Sequence, residues 1–170
     1  MKIIFLNIDG VLTYQGYKNK STYHIDVKKV NMVKEICDKT NAKVVIFSSW
    51  KGNLSKTPKR YYTLMDILSN NGINVVGITP CIPSRYEPAD DCDNTMIDSS
   101  IRIVYGTGRG AEVNQWLKEH KNVDSFVIID DENWYWNEYN FEKKWVQPSW
   151  FNGGLNQKHV NDAIKILNKR

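Results

Sequence analysis

Polar side chains that can bind a metal ion or a phosphate group follow three apolar stretches of the chain. Carboxylate and amide oxygens are hard ligands that suit Mg²⁺, which needs few protein ligands and keeps water and substrate phosphate in its shell. Hydroxyls and a guanidinium can hold the remaining phosphate oxygens. The residues are Asn7 and Asp9 after the first stretch, Ser48 and Ser49 after the second, Asp130 and Asp131 after the third, and Arg109 ahead of the third.

The apolar stretches have the composition of strands buried on both faces of a parallel sheet, because they are short, β-branched or aromatic and not strictly alternating. Helical patterns lie between them. The sequence therefore predicts an α/β fold, a Rossmann-like parallel sheet of about five strands with helices on both faces. The predicted strands are 3–6, 44–47, 73–78, 126–129 and a weaker one near 145–146, and the predicted helices include 26–39 and apolar faces within 61–68, 113–117 and 160–167.

In such a sheet, ligands bind beyond the carboxyl ends of the strands. We therefore expect the polar residues that follow the strands to converge at one edge. The longest irregular stretch, about 80–100, contains an acidic cluster and is predicted to be a functional or mobile loop. The acidic cluster consists of Asp90, Asp91, Asp93 and Asp98.

Size and composition exclude several classes of protein. With 170 residues, of which 41% are hydrophobic and 25% charged, the chain is predicted to form one domain over 1–170 and not a disordered or collagen-like protein. No apolar run approaches the about 18 residues needed to cross a membrane, so a cytoplasmic protein without membrane association is expected. The three cysteines, Cys37, Cys81 and Cys92, indicate neither a disulfide framework nor a zinc site.

Positive charge is concentrated in the first third of the chain. Residues 1–60 contain 12 Lys and Arg against 4 Asp and Glu, whereas residues 61–170 contain 11 against 15. A basic segment of this kind either attracts a polyanion or a phosphorylated ligand, or is a solvated lysine-rich surface.

Four segments, in order, resemble the motifs of the haloacid dehalogenase (HAD) superfamily of aspartyl phosphatases. The closing segment WVQPSWFNGGLNQKHVNDAIKIL (145–167) resembles the HAD group found in Swiss Army Knife RNA repair proteins. The four motif-like segments are FLNIDGVLT (5–13), VVIFSSW (44–50), GRGAEVNQWL (108–117) and FVIIDDEN (126–133).

The resemblance implies a Mg²⁺-dependent phosphomonoesterase and a role for each matching residue. In the superfamily, the first motif's leading aspartate, at the position of Asn7 here, attacks phosphorus and becomes an aspartyl-phosphate. The next aspartate, here Asp9, acts as general acid and then as base. The implied phosphate-binding residues are Ser48, Ser49 and Arg109, and the implied metal-binding residues are Asn7, Asp9, Asp130 and Asp131.

Asn7 departs from the superfamily pattern at the nucleophile. Its amide oxygen can ligate a cation but is a poor nucleophile. Two interpretations stay open: a phosphatase whose nucleophile has been replaced, which leaves an inactive or substrate-trapping form, or a natural pseudo-phosphatase that binds phosphorylated ligands without turnover. The other site positions match the motifs, which favours the first interpretation.

The spacing of the motifs leaves little room for a cap domain. Only residues 13–25 separate the first motif from the next helix, and the core itself needs most of the segment between the second and third motifs. An open site favours a terminal phosphate on a larger molecule. We therefore expect a phosphorylated small molecule, a nucleotide or a nucleic-acid end as the partner; the sequence does not predict the oligomeric state.

Structural roles compete with the functional ones. Asp9 before Gly10 can form a turn, Ser48 and Ser49 can cap a helix, and Arg109 can be a surface charge. The aromatic cluster within 134–145 is interpreted mainly as core, with base stacking as a minority alternative.

A dinucleotide site is the remote alternative. Gly106–Ala111 reads G-x-G-x-x-A and opens a predicted helix, with Asp130 about 20 residues further on. However, Arg102 interrupts the preceding apolar segment. A dinucleotide site would also leave Asp9 and Asp131 without a role.

Overall fold

The computed structural model describes residues 1–53, 58–88 and 101–169. Seven strands and four α-helices occupy this part of the chain. The strands are β1 (Lys2–Leu6), β2 (Lys43–Ile46), β3 (Val75–Ile78), β4 (Tyr86–Pro88), β5 (Ile101–Ile103), β6 (Ser125–Ile129) and β7 (Trp145–Val146). The helices are α1 (Val27–Thr40), α2 (Pro58–Asn70), α3 (Gly108–Glu119) and α4 (Gln157–Asn168).

Five strands form one parallel sheet in the order β3-β2-β1-β6-β7. All five were predicted from the sequence, so the α/β class and the parallel sheet are confirmed. The central strand β1 pairs with β2 on one side and β6 on the other, with Leu6 opposite both Ile46 and Ile129. The carboxyl ends of these three strands therefore lie side by side.

Alternate residues of β1 point into two hydrophobic cores, since successive side chains of a strand point to opposite faces. Ile4 and Leu6 belong to one core, which also contains buried residues of α1, α2 and α4. Ile3 and Phe5 belong to the other, with Val113 of α3. Helices thus cover both faces, as predicted.

The ends of α1 are fixed by local hydrogen bonds. The Asp26 side chain accepts a hydrogen bond from the backbone N–H of Lys28, which caps the amino end. At the other end Asn41 adopts a left-handed conformation and its N–H bonds to the Cys37 carbonyl. These caps set the length of α1, which follows the loop that begins after β1.

The expected irregular stretch at 80–100 contains a strand that the sequence did not predict. Tyr86–Pro88 pairs antiparallel with Ile101–Ile103, outside the main sheet. A three-residue strand ending in proline lacks a readable alternation, and proline is tolerated at such an edge. Cys92 and the acidic cluster of Asp90, Asp91, Asp93 and Asp98 lie outside the described residues.

Two further expectations concern gross architecture. Among the described residues, the chain between β3 and α3 forms only the β4–β5 pair, and no large cap domain is present. Within the described ranges, none of the helices has the length and apolarity to cross a membrane.

Candidate active site

The pairing of β1 with β6 places Asn7 beside Asp130. Asn7 directly follows β1 and its backbone N–H bonds to the Ile129 carbonyl at 3.0 Å, so the strand ladder continues one residue into the site. Asp130 directly follows β6, and both side chains are buried. The two site loops therefore start from fixed backbone positions.

The Asn7 side chain lies at the centre of a group of oxygens. Its amide nitrogen is 2.9 Å from Asp130 Oδ1, 3.0 Å from the Asp9 carbonyl oxygen and 3.4 Å from Asp131 Oδ1. The Asp131 carboxylate occupies the space above Gly10, where a Cβ would lie 1.9 Å from Asp131 Cγ. Gly10 also has a φ of +76°, so glycine at this position permits both the turn and the approach of the carboxylate.

Asp9 is held by donors from three parts of the chain. Thr13 Oγ1 donates to Asp9 Oδ1 and Trp50 Nε1 donates to Oδ2, each at 2.9 Å. Arg60 lies 3.5 Å from Oδ1 and its guanidinium is 3.6 Å above the Trp50 ring. The side chain keeps 45% of its exposure, so the carboxylate is both oriented and accessible.

Arg109 lies in the first turn of α3 and reaches the buried carboxylate. Its Nη1 is 3.4 Å from Asp130 Oδ2. Burial raises the pKa of Asp130, and the charge of Arg109 opposes this rise; burial also raises the pKa of Asp131. Two crowded carboxylates with raised pKa values form a site that a cation would stabilise.

The donor set around Asn7 fits Mg²⁺. The three oxygens near the amide are a backbone carbonyl and two carboxylates, which are the hard ligands this ion prefers. Within the described ranges, no group of three or more His, Cys, Asp and Glu side chains is arranged to hold a metal. The candidate site instead combines two carboxylates with a carbonyl and an amide.

Two adjoining cavities open at this edge of the sheet. One, of about 410 Å³, is lined by Asn7, Asp9 and Asp131. The other, of about 320 Å³, is lined by Ser48. Ser49 and Arg109 line both, so the predicted phosphate-binding residues lie at the junction and in the second cavity.

Two buried polar atoms in the described part of the chain have no hydrogen-bond partner, and both belong to residues that line these cavities. They are Oδ1 of Asn7 and Nε1 of Trp134. Buried polar groups in folded proteins are nearly always paired. One acceptor and one donor therefore remain available for a ligand.

A buried ion pair that the sequence did not reveal forms a wall of the second cavity. Lys51 Nζ bonds to Glu112, to Thr79 Oγ1 at 2.5 Å and to the Pro80 carbonyl at 2.9 Å. Glu112 also accepts from the Ile82 N–H at 3.1 Å, which fastens the segment after β3 to α3. Burial lowers the pKa of Lys51 and the bonds to Glu112 oppose this.

Removal of one partner of this pair should destabilise the protein strongly. We expect Lys51→Met to lower the free energy of unfolding by about 3–5 kcal/mol, because it leaves the Glu112 charge buried and unpaired. Urea denaturation measures the change. The control is Lys158→Met, which breaks an exposed pair with Asp162 on α4 and should change stability by no more than about 0.5 kcal/mol. Equal effects of the two substitutions would contradict this account.

The aromatic cluster within 134–145 was interpreted from the sequence mainly as core. Within the aromatic cluster, Trp136 and Phe141 are buried in the second core. Trp134 is half-buried, and the Arg109 guanidinium lies 4.9 Å from the centre of the Trp134 ring.

The dinucleotide alternative depends on the segment Gly106–Ala111. This segment follows β5, which pairs antiparallel outside the main sheet. It therefore lacks the parallel strand that a dinucleotide site requires.

Sequence reasoning missed the partners of Asp9. Thr13 can be recognised from its spacing of four residues in the loop after β1. Trp50 and Arg60 carry no local signal, because their roles depend on how the segment after β2 folds back over the first loop.

One protein family matches most of the chain. A model of the family described as the HAD domain in Swiss Army Knife RNA repair proteins matches residues 3–160. Neither a curated protein nor a solved structure matches the chain. The matched range runs from β1 into α4 and includes all the candidate site residues. The chain belongs to the family of HAD domains found in Swiss Army Knife RNA repair proteins.

Proposed function

We propose that this site binds the terminal phosphate of a nucleotide or nucleic-acid end together with Mg²⁺. With a carboxylate at position 7 it hydrolyses the phosphomonoester through an aspartyl-phosphate. The observation that carries the proposal is the group of oxygens from Asp9, Asp130 and Asp131 within 2.9–3.4 Å of the Asn7 amide nitrogen. Membership in a family of RNA repair domains supports the choice of a phosphorylated nucleic-acid end.

Each site residue has a proposed task. The Asp9 carbonyl, Asp130 and Asp131 would hold the cation, joined by Asn7 once its amide turns so that Oδ1 and not Nδ2 faces these oxygens. The cation would supply positive charge that neutralises the phosphate oxygens. Ser48, Ser49 and Arg109 bind phosphate oxygens from the neighbouring cavity. The Asp9 side chain, as the neutral carboxylic acid, donates its proton to the departing oxygen, and the carboxylate that this leaves then accepts a proton from the water that hydrolyses the aspartyl-phosphate.

The identity of residue 7 decides whether binding leads to chemistry. An amide cannot form the acyl-phosphate, so the chain with Asn7 binds its ligand without turnover. A natural pseudo-phosphatase is the second candidate function. It is favoured by the fact that the amide is integrated into the site as a donor to several oxygens at once.

The proposal predicts Mg²⁺-dependent binding of a phosphorylated end by the chain as it stands. Titration calorimetry should detect binding of a short single-stranded oligonucleotide with a 5′- or 3′-terminal phosphate. The same oligonucleotide with a terminal hydroxyl in place of the phosphate should bind much more weakly. Arg109→Ala should weaken binding by about 1.5–3 kcal/mol, because it removes a hydrogen bond to a charged group.

Lys118→Ala is the matched control, since Lys118 is an exposed cation on the same helix as Arg109. It should bind as the parent chain does. If Lys118→Ala weakens binding and Arg109→Ala does not, the phosphate contact has been assigned to the wrong cation. If no phosphorylated end binds at all, the proposed function is wrong.

A further inference from the structure

Two exposed aromatic side chains belong to the cavity of about 410 Å³ described above, which we call the catalytic cavity. Phe151 is 77% exposed and Trp150 is 37% exposed. Both line the cavity that contains Asn7 and Asp9. Contiguous exposed apolar surface that is surrounded by polar residues marks ligand-binding or interaction sites.

The turn that carries them is fixed to the first site loop. The Gln15 N–H donates to the Trp150 carbonyl at 3.0 Å, and the Leu155 N–H donates to the Val11 carbonyl at 3.0 Å. Gly154 has a φ of +67°, and a Cβ there would lie 2.7 Å from the Val11 carbonyl oxygen. These bonds fix the backbone of Trp150 and Phe151 relative to the loop after β1, which carries Asn7 and Asp9.

The loop after β1, to which this turn is bonded, carries exposed cations. The Tyr14 ring packs against Gly154, and Lys29 Nζ lies 5.0 Å from the centre of that ring. Lys18 and Lys20 are exposed in the same loop. Exposed aromatic rings with cations on the adjoining loop suit a single-stranded polyanion whose bases stack on the rings.

We propose that Trp150 and Phe151 form a stacking platform for the nucleobase next to the terminal phosphate of a single-stranded nucleic acid. This inference rests on the proposed function, because it assumes that the phosphate lies between Asn7 and Arg109. Stacking tolerates any base, since every base has a π-face. The platform would therefore select ends that carry an unpaired base, without reading its identity.

The test compares two ligands on the unmodified chain with Mg²⁺. One is a short oligonucleotide with a terminal phosphate and a dye at its other end; the other is the same molecule with an abasic terminal nucleotide. Fluorescence anisotropy should show that the abasic ligand binds about five- to hundredfold more weakly. Phe151→Ala should weaken the base-containing ligand to a similar degree and leave the abasic ligand unchanged.

Two further variants control the test. Phe151→Trp restores an aromatic surface and should restore the preference for the base-containing ligand. Tyr62→Ala removes another exposed ring, 59% accessible on α2, and should leave both affinities within about twofold of the parent. Because Phe151 is largely exposed, its replacement does not endanger folding.

Each outcome separates the platform from the phosphate site. Equal affinities for the two ligands on the parent chain would overturn the platform, and so would an unchanged Phe151→Ala variant. If Arg109→Ala still weakens binding in that case, the proposed function survives. If Phe151→Ala weakens binding while phosphorylated and hydroxyl-ended oligonucleotides bind equally, Phe151 contacts nucleic acid but the phosphate assignment fails, and the platform beside a terminal phosphate is overturned with it. If no nucleic acid binds, as expected for a protein-docking surface, both are overturned.

Discussion

Replacing Asn7 with aspartate is expected to produce a Mg²⁺-dependent phosphatase whose turnover exceeds that of the parent chain by roughly six orders of magnitude. The change restores a carboxylate oxygen that can attack phosphorus, at a position already surrounded by the Asp9 carbonyl and the Asp130 and Asp131 carboxylates. Steady-state assays with an aryl phosphate and with phosphorylated nucleotides, with Mg²⁺ or with EDTA, measure the effect.

A chemically identical change elsewhere provides the control. Asn156→Asp alters the residue that caps α4, where aspartate caps as well as asparagine does, and should leave the chain inert. Asn7→Ala should also be inert, which separates the need for a carboxylate from the mere loss of the amide. An Asn7→Asp protein that folds and binds Mg²⁺ but hydrolyses none of a broad panel of phosphomonoesters would favour the pseudo-phosphatase.

In the active Asn7→Asp background, Asp9→Asn should lower turnover by about 10²–10⁴-fold, the usual contribution of a general acid–base group. The geometry supports this role, because Thr13 and Trp50 orient a carboxylate that remains accessible from the catalytic cavity. The loss should depend on the leaving group. It should be large for a nucleotide phosphate, whose departing oxygen needs a proton, and smaller for an aryl phosphate with an acidic phenol.

The leaving-group dependence distinguishes proton transfer from a structural role. Asp66→Asn, which removes an exposed carboxylate on α2, is the matched control and should leave both rates unchanged. Equal losses for the two substrates would show that Asp9 positions the loop and does not transfer the proton.

The central strands of the main sheet were predictable because burial on both faces requires short apolar runs, whereas β3, at the edge, leaves Val76 and Ile78 exposed. The stretch 3–6 and the stretch 126–129 differ from β1 and β6 only by their first residue. Pairing outside that sheet was not predictable. β4 (Tyr86–Pro88) depends on a partner strand and has no apolar periodicity of its own.

The residues of the candidate site also fall into those that could be predicted from the sequence and those that could not. Residues that directly follow strands, such as Asn7 and Asp130, can be placed from sequence because the strand fixes their backbone. Residues that reach the site through tertiary packing cannot. Lys51 counts in the sequence as one of many surface lysines, yet it is buried against Glu112, 61 residues away. Trp50 likewise contacts Asp9 only after the chain has folded.

The position of β1 has a consequence for how the protein acquires its structure. The strand nearest the amino terminus is the central one, and the Asn7–Asp130 hydrogen bond joins residues 123 positions apart. Contacts of such large sequence separation require closure of a long loop before they stabilise anything, which slows folding. A nascent chain therefore cannot assemble this candidate site until β6 and Asp130 have been synthesised, so the site should form together with the central part of the sheet.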